Sequence, residues 1–139
     1  MQVKKISALI KEQTVSHYTW RNGSEFLVWA IINGQPGYYL LDRDGASKLI
    51  FVTKIDGHPT FIDTNTFITD TYPNKYSIQS LFTYNIVTHK KNNILRVRHP
   101  VFYKKNERCD LHPSISHDKK YFQIDLIRKN KRAICIGQL

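Results

Sequence analysis

One four-residue pattern recurs along this chain: a histidine, any residue, a small hydroxyl residue, and a large apolar one. It reads His17-Tyr18-Thr19-Trp20, His58-Pro59-Thr60-Phe61 and His112-Pro113-Ser114-Ile115. Nine residues after each histidine stands an aromatic, Phe26, Phe67 and Tyr121, and each opens a β-rich run. A turn-rich insert separates the two halves of every unit: Asn22-Gly23-Ser24, Asp63-Thr64-Asn65 and His117-Asp118-Lys119. A further strand follows in each unit, at Tyr38 to Leu41, Ser80 to Ile86 and Arg132 to Ile136. The first two units end in a fourth strand, Lys48 to Thr53 and Ile94 to Val97. The histidines are 41 and 54 residues apart. A period of this size, filled by short strands and turn signals, is that of a β-propeller blade.

The expected fold is therefore all-β: one partial β-propeller domain over residues 1–139, with about three four-stranded antiparallel blades. The units fall near 16–55, 56–99 and 108–139. Asn33-Gly34, Asp44-Gly45 and Asp56-Gly57 are expected turns, where glycine supplies positive φ at low cost. Val3, Ile6, Leu9 and Ile10 suit a helical face or the last strand of a preceding blade, and strand is the expectation. Three blades do not close a ring, and an open arc leaves apolar blade faces wet. The chain is thus expected to be a fragment, a truncated gene product or an assembling subunit. Its partners would be missing upstream blades or further copies of itself.

Composition narrows the function. No apolar run approaches the roughly 20 residues that span a bilayer. Residues 1–7 hold no apolar stretch long enough for a secretory signal, which points to the cytoplasm, or to the periplasm if a signal lies outside this sequence. The net charge of +10 is concentrated late: residues 89–139 hold 13 Lys and Arg against 4 Asp and Glu. Such a balance can meet a polyanion, but the cations sit in turns, as in Lys90-Lys91, Lys104-Lys105, Lys119-Lys120 and Arg128-Lys129-Asn130-Lys131-Arg132. That placement favours a solvated surface over nucleic acid. Cys109 and Cys135 have no metal-ligand spacing and read as a pair of thiols. There is no phosphate-binding glycine loop, no nucleophile elbow, no metalloprotease helix and no RNA-binding aromatic signature.

Equivalent positions of successive blades converge near a propeller's axis, so His17, His58 and His112 are expected to approach one another. Imidazoles brought together suit a divalent ion such as Mn, Fe or Zn. A repeated histidine equally serves to cap strand starts by hydrogen bonding to the next blade. Arg108 has the planar fork that binds carboxylates, and Asp70 and Asp110 are placed to hold a histidine ring in orientation; a structural Asp–backbone or Arg–Asp bond in a blade turn is the stronger expectation for all three. Tyr72, before Pro73, offers a ring on which a sugar could stack, or simply a core side chain.

The runs Ser16-His17-Tyr18-Thr19-Trp20, Asp56-Gly57-His58-Pro59-Thr60-Phe61, Thr69-Asp70-Thr71-Tyr72-Pro73 and Arg108-Cys109-Asp110-Leu111-His112-Pro113 resemble the blades of bacterial TolB-like propellers. More narrowly, they resemble the propellers grouped with oligogalacturonate lyase, over residues 16–137 and in the C-terminal half of such a domain. The resemblance implies an axial funnel lined by blade-start histidines. In the lyase these hold a divalent metal, such as Mn, and the substrate is an acidic oligosaccharide cleaved by β-elimination. On that basis His17, His58 and His112 are the candidate metal ligands, and Arg108, Asp110, Asp70 and Tyr72 the candidate substrate contacts. The chain departs from the pattern in three ways: the upstream blades are absent, the Ser-Pro-Asp-Gly turn is missing from every repeat, and an expected histidine is replaced. The third unit has Ser116-His117-Asp118-Lys119 where relatives carry Ser-Pro-Asp-Gly, and Leu126-Ile127-Arg128 follows Asp125 where relatives tend to carry another histidine. The expectation is therefore glycan or protein recognition without turnover. The alternatives are metal-assisted lyase activity and polyanion binding by the basic last third.

Overall fold

The computed structural model describes residues 6–10, 14–100 and 108–139. Among these, β1 (Val15–Trp20), β2 (Glu25–Ile32), β3 (Gln35–Asp42) and β4 (Ser47–Val52) form one antiparallel sheet in chain order. A second is built in the same way from β5 (Thr60–Phe61), β6 (Thr66–Asp70), β7 (Ile78–Asn85) and β8 (Lys91–Arg98). The third contains β9 (Ser114–Ile115), β10 (Tyr121–Arg128) and β11 (Lys131–Gln138), so this blade has three strands and not four. The described residues contain no helix. None of them forms a helix long and apolar enough to cross a membrane.

Period-two alternation gives each sheet two apolar faces, and the sheets stack through them. Leu27, Trp29, Tyr38 and Leu40 of the first blade pack on Phe67, Phe82 and Tyr84 of the second. Ile68 and Leu81, on the second blade's other face, meet Phe122 and Ile124 of the third. The Tyr38 hydroxyl, deep in the first junction, hydrogen-bonds the Thr69 hydroxyl at 3.0 Å. The innermost strands β1, β5 and β9 lie side by side and so carry the three histidine-bearing starts to one place.

Register corrects one expectation. Trp20 pairs with Phe26, Phe61 with Phe67, and Ile115 with Phe122. The third equivalent of the repeated aromatic is therefore Phe122 and not Tyr121. The cause is a turn longer by one residue: Arg21 N donates to Glu25 O and Ile62 N to Thr66 O, but Ser116 N donates to Tyr121 O. Phe122 is buried and Tyr121 is exposed.

The turn chemistry divides in a similar way. Asn33-Gly34 (φ 51° and 77°) and Gly45 (φ 93°) adopt the left-handed conformation expected of them. Gly57 does not. A Cβ there would lie 2.0 Å from the Asp70 carbonyl oxygen, so glycine is required by close approach of two backbones. Residues 6–10 carry no strand, and the rest of the expected N-terminal strand lies outside the described residues, as does Lys104-Lys105.

Candidate functional site

The three repeated histidines come together. The rings of His17 and His58 lie 4.0 Å apart between centroids, and those of His58 and His112 lie 3.8 Å apart. Each junction in this ladder is held by carboxylates from the repeat. Asp56 accepts from the Ser16 hydroxyl and lies 3.1 Å from His17 Nδ1. Asp70, fully buried, lies 2.9 Å from His58 Nδ1 and accepts the backbone N–H of both His58 and His112. It thereby ties the second unit to the third. Burial alone would raise the Asp70 pKa, but the hydrogen bond and charge of His58 and the two backbone donors outweigh it and hold the carboxyl below its ordinary value.

Asp110 stands two residues before His112, as Asp56 stands two before His58. Of the two roles expected of it, it takes the bond to arginine and not that of orienting a histidine. Both of its oxygens accept from Arg108, through Nε and Nη2. Arg108 is thus bound to a carboxylate of its own chain in the bidentate geometry expected for a substrate carboxylate. Its guanidinium carbon also sits 4.1 Å from the centre of the Tyr72 ring, and the Tyr72 ring meets His58 edge-on at 5.9 Å. Arg108, Asp110, Asp70, Tyr72 and the three histidines therefore form one continuous cluster. Burial, with the nearby charges of Asp56 and Asp110, pushes the Tyr72 hydroxyl pKa up, so this ring stays neutral.

The donor chemistry fits a divalent ion at one part of the ladder. Ligand atoms of His58, His112 and Asp110 all lie within 4.8 Å of one another. With Nδ1 of His58 facing Asp70, its Nε2 is left for a metal, the usual arrangement of a carboxylate-oriented imidazole ligand. His17 stands outside this trio and faces Asp56. Asp110 would serve as a ligand through a lone pair that its two hydrogen bonds from Arg108 leave unused.

A cavity of about 500 Å³ shares Asp56 and Tyr72 with the cluster and adds Lys54, Asn74 and Lys91 to its lining. The Lys91 ammonium lies 3.8 Å above the Phe82 ring, and partial burial pushes its pKa down. Sequence reading missed Lys54 and Lys91. Lys54 was legible through its place two residues before Asp56. Lys91 reads with Lys90 as a surface turn, and only its place at the start of β8, paired with Tyr84 and with its side chain laid over Phe82 and toward Phe51, brings it to this cavity. Of the remaining histidines, His99 is buried and accepts the Cys109 backbone N–H at 3.2 Å, while Cys109 and Cys135 are free thiols.

Antiparallel sheets stacked face to face, with their first strands side by side and equivalent histidines converging, are blades of a β-propeller. The particular propeller is TolB-like. Among solved structures the chain is similar to TolB from Acinetobacter baumannii, with a TM-score of 0.71 at 14% identity; the match covers 94% of this chain and 31% of the TolB chain. No protein-family model and no curated protein sequence matches it. At this identity the likeness defines the fold, and the chain spans less than a third of TolB's length.

Proposed function

We propose that this chain is a propeller recognition module whose axial end binds a carboxylate-bearing glycan without turning it over. The observation that carries the reading is the ladder of His17, His58 and His112, each tilted ring centred within 4.0 Å of the next. It places hydrogen-bonding imidazoles in a row beside a tyrosine face and a cavity lined by two lysines. A sugar ring has the apolar face to stack on Tyr72, and its carboxylate has the charge to meet Lys54 and Lys91. A divalent ion on His58, His112 and Asp110 would add a positive centre on which a second carboxylate could land.

The reading without turnover is supported by the engagement of the cluster's carboxylates and its guanidinium within the protein. β-Elimination needs a base for the proton α to the carboxylate and a cation for the charge that builds on the enolate. Asp56, Asp70 and Asp110 are each committed to hydrogen bonds within the protein. Arg108, the nearest guanidinium, is neutralised by Asp110. Binding of polyanionic nucleic acid is disfavoured by placement: Lys119-Lys120 and Arg128–Arg132 lie at opposite ends of β10, so they make no single basic face.

Isothermal titration with oligogalacturonate, with and without Mn, tests this reading. Binding is expected, weakened at least tenfold in Lys54→Ala/Lys91→Ala, with no growth of the ultraviolet absorbance of unsaturated uronate. Absence of binding, or appearance of that absorbance, would overturn it.

A further inference from the structure

The second and third blades meet through Ile68 and Leu81 on one side and Phe122 and Ile124 on the other. Beyond that apolar contact the two sheets leave a space between them. On a strand every second residue shares a face, so Gln79 turns the same way as Leu81, and Arg128 the same way as Ile124. Cys135, the register partner of Ile124, packs on the same cluster. Together with Arg98 at the end of β8, and with His99 and Cys109, these side chains line a cavity of about 330 Å³. Ligand pockets run from about 300 to 1,000 Å³. No residue of the axial cluster lines this one.

Its polar groups are unevenly satisfied. Gln79 is 2% exposed and donates Nε2 to the Cys109 carbonyl, while its Oε1 accepts no hydrogen bond from the described residues. Arg98 and Arg128 reach the cavity from different blades. Neither guanidinium has a carboxylate or hydrogen-bond partner among the described residues, and no Asp or Glu among them lines the cavity. Two unopposed guanidiniums over one cavity favour an anionic occupant, and their planar forks suit carboxylates. The wall also holds two free thiols, which are not equivalent. Cys109 is 2% exposed, and burial pushes its pKa up, away from the reactive thiolate. Cys135 is partly exposed, on the outermost strand of its blade. His99 does not make a metal centre with them: its Nε2 accepts the Cys109 N–H and its Nδ1 lies 3.0 Å from the Pro100 carbonyl oxygen.

We propose that this cavity is a modification site, where Cys135 forms a mixed disulfide with a small acidic peptide thiol whose carboxylates bind Arg98 and Arg128. The co-reactant is the peptide's symmetric disulfide. The Cys135 thiolate attacks one of its sulfurs, a new S–S bond forms to Cys135, and the S–S bond of the reagent breaks. The other half leaves as a thiolate and takes up the proton that Cys135 gave to solvent. Cys135 is oxidised and the departing half is reduced, so no further oxidant enters. The Gln79 Oε1 would accept an N–H of the bound peptide. Cys109 stays a thiol, shielded behind the inner wall. The inference is independent of the glycan reading, which concerns the axial end.

The test is to treat the reduced 139-residue chain with oxidised glutathione at about pH 8, then measure intact mass and map the peptides. One glutathione per chain is expected, on the peptide that contains Cys135, and released by dithiothreitol. The double variant Arg98→Ala/Arg128→Ala, both positions exposed, should slow this reaction about tenfold or more. Its rate with the uncharged 2-hydroxyethyl disulfide should change less than about twofold, since that reagent has no carboxylate for the arginines to bind. The proposal would be overturned by no adduct, by an adduct on Cys109, or by an internal Cys109–Cys135 disulfide in place of the adduct. Equal rates for the variant and the unaltered chain, or equal slowing with both reagents, would overturn it as well.

Discussion

Asp70 shows how much a single repeat position can carry. Its carboxylate holds the His58 ring and two backbone N–H groups from two different units. Removing the charge in Asp70→Asn is expected to cost about 2–3 kcal/mol, the worth of a charge-assisted hydrogen bond whose donors stay buried, read as a shift in the urea midpoint. The acid limb carries a second signature. A carboxyl held below its ordinary 3.8 in the fold contributes stability above that pH, and the contribution is lost as pH falls through 3.8 toward the depressed value. Stability below pH 3.8 should therefore fall less steeply in Asp70→Asn than in the unaltered protein; parallel acid limbs would contradict the assignment. Gly57→Ala probes the same spot from the other side. Its Cβ would strike the Asp70 carbonyl, with an expected loss of about 1–3 kcal/mol, whereas Gly23→Ala, with open space around it, should change stability by no more than about 0.5 kcal/mol. None of this was legible at Asp56-Gly57, where the dipeptide reads as a turn; the glycine answers to a strand that crosses it from 13 residues away.

The third blade separates what a strand pattern determines from what a turn determines. Alternation and spacing sufficed for the strands of the first two blades, because their opening turns have equal length. The extra residue among Ser116 to Lys120 shifts β10 by one, and a one-residue shift exchanges the faces of a strand. Phe122 therefore turns inward and packs in the junction with Ile68 and Leu81, while Tyr121 faces solvent. Counting from His112 could not reveal this, since both residues are aromatic. Two truncations check the register. Phe122→Ala should cost about 3–5 kcal/mol as a cavity in that junction, and Tyr121→Ala no more than about 1 kcal/mol. The reverse order would place the strand in the other register. Gly137 supports the first outcome, because a Cβ there would fall 2.2 Å from the Phe122 ring.

For the molecule as a whole, the repeat foretells convergence, and convergence makes the axial end a candidate site. Histidines at one repeat position must reach one radius and height, so their meeting follows from spacing alone. What each then touches does not. A bond between Arg108 and an aspartate is expected from the residues, but its bidentate form and the stacking of Arg108 on Tyr72 depend on side-chain directions within a short loop. The cavity beside them depends on how two blades pack. The central claim is that the axial ladder, and no other histidine, receives the ligand. It is tested most directly by following the imidazole ring signals in nuclear magnetic resonance spectra as oligogalacturonate is added. The account predicts that the signals of His17, His58 and His112 move together and saturate, while those of His89 and His117 stay in place. Saturating shifts at His89 or His117, with the ladder unmoved, would contradict it.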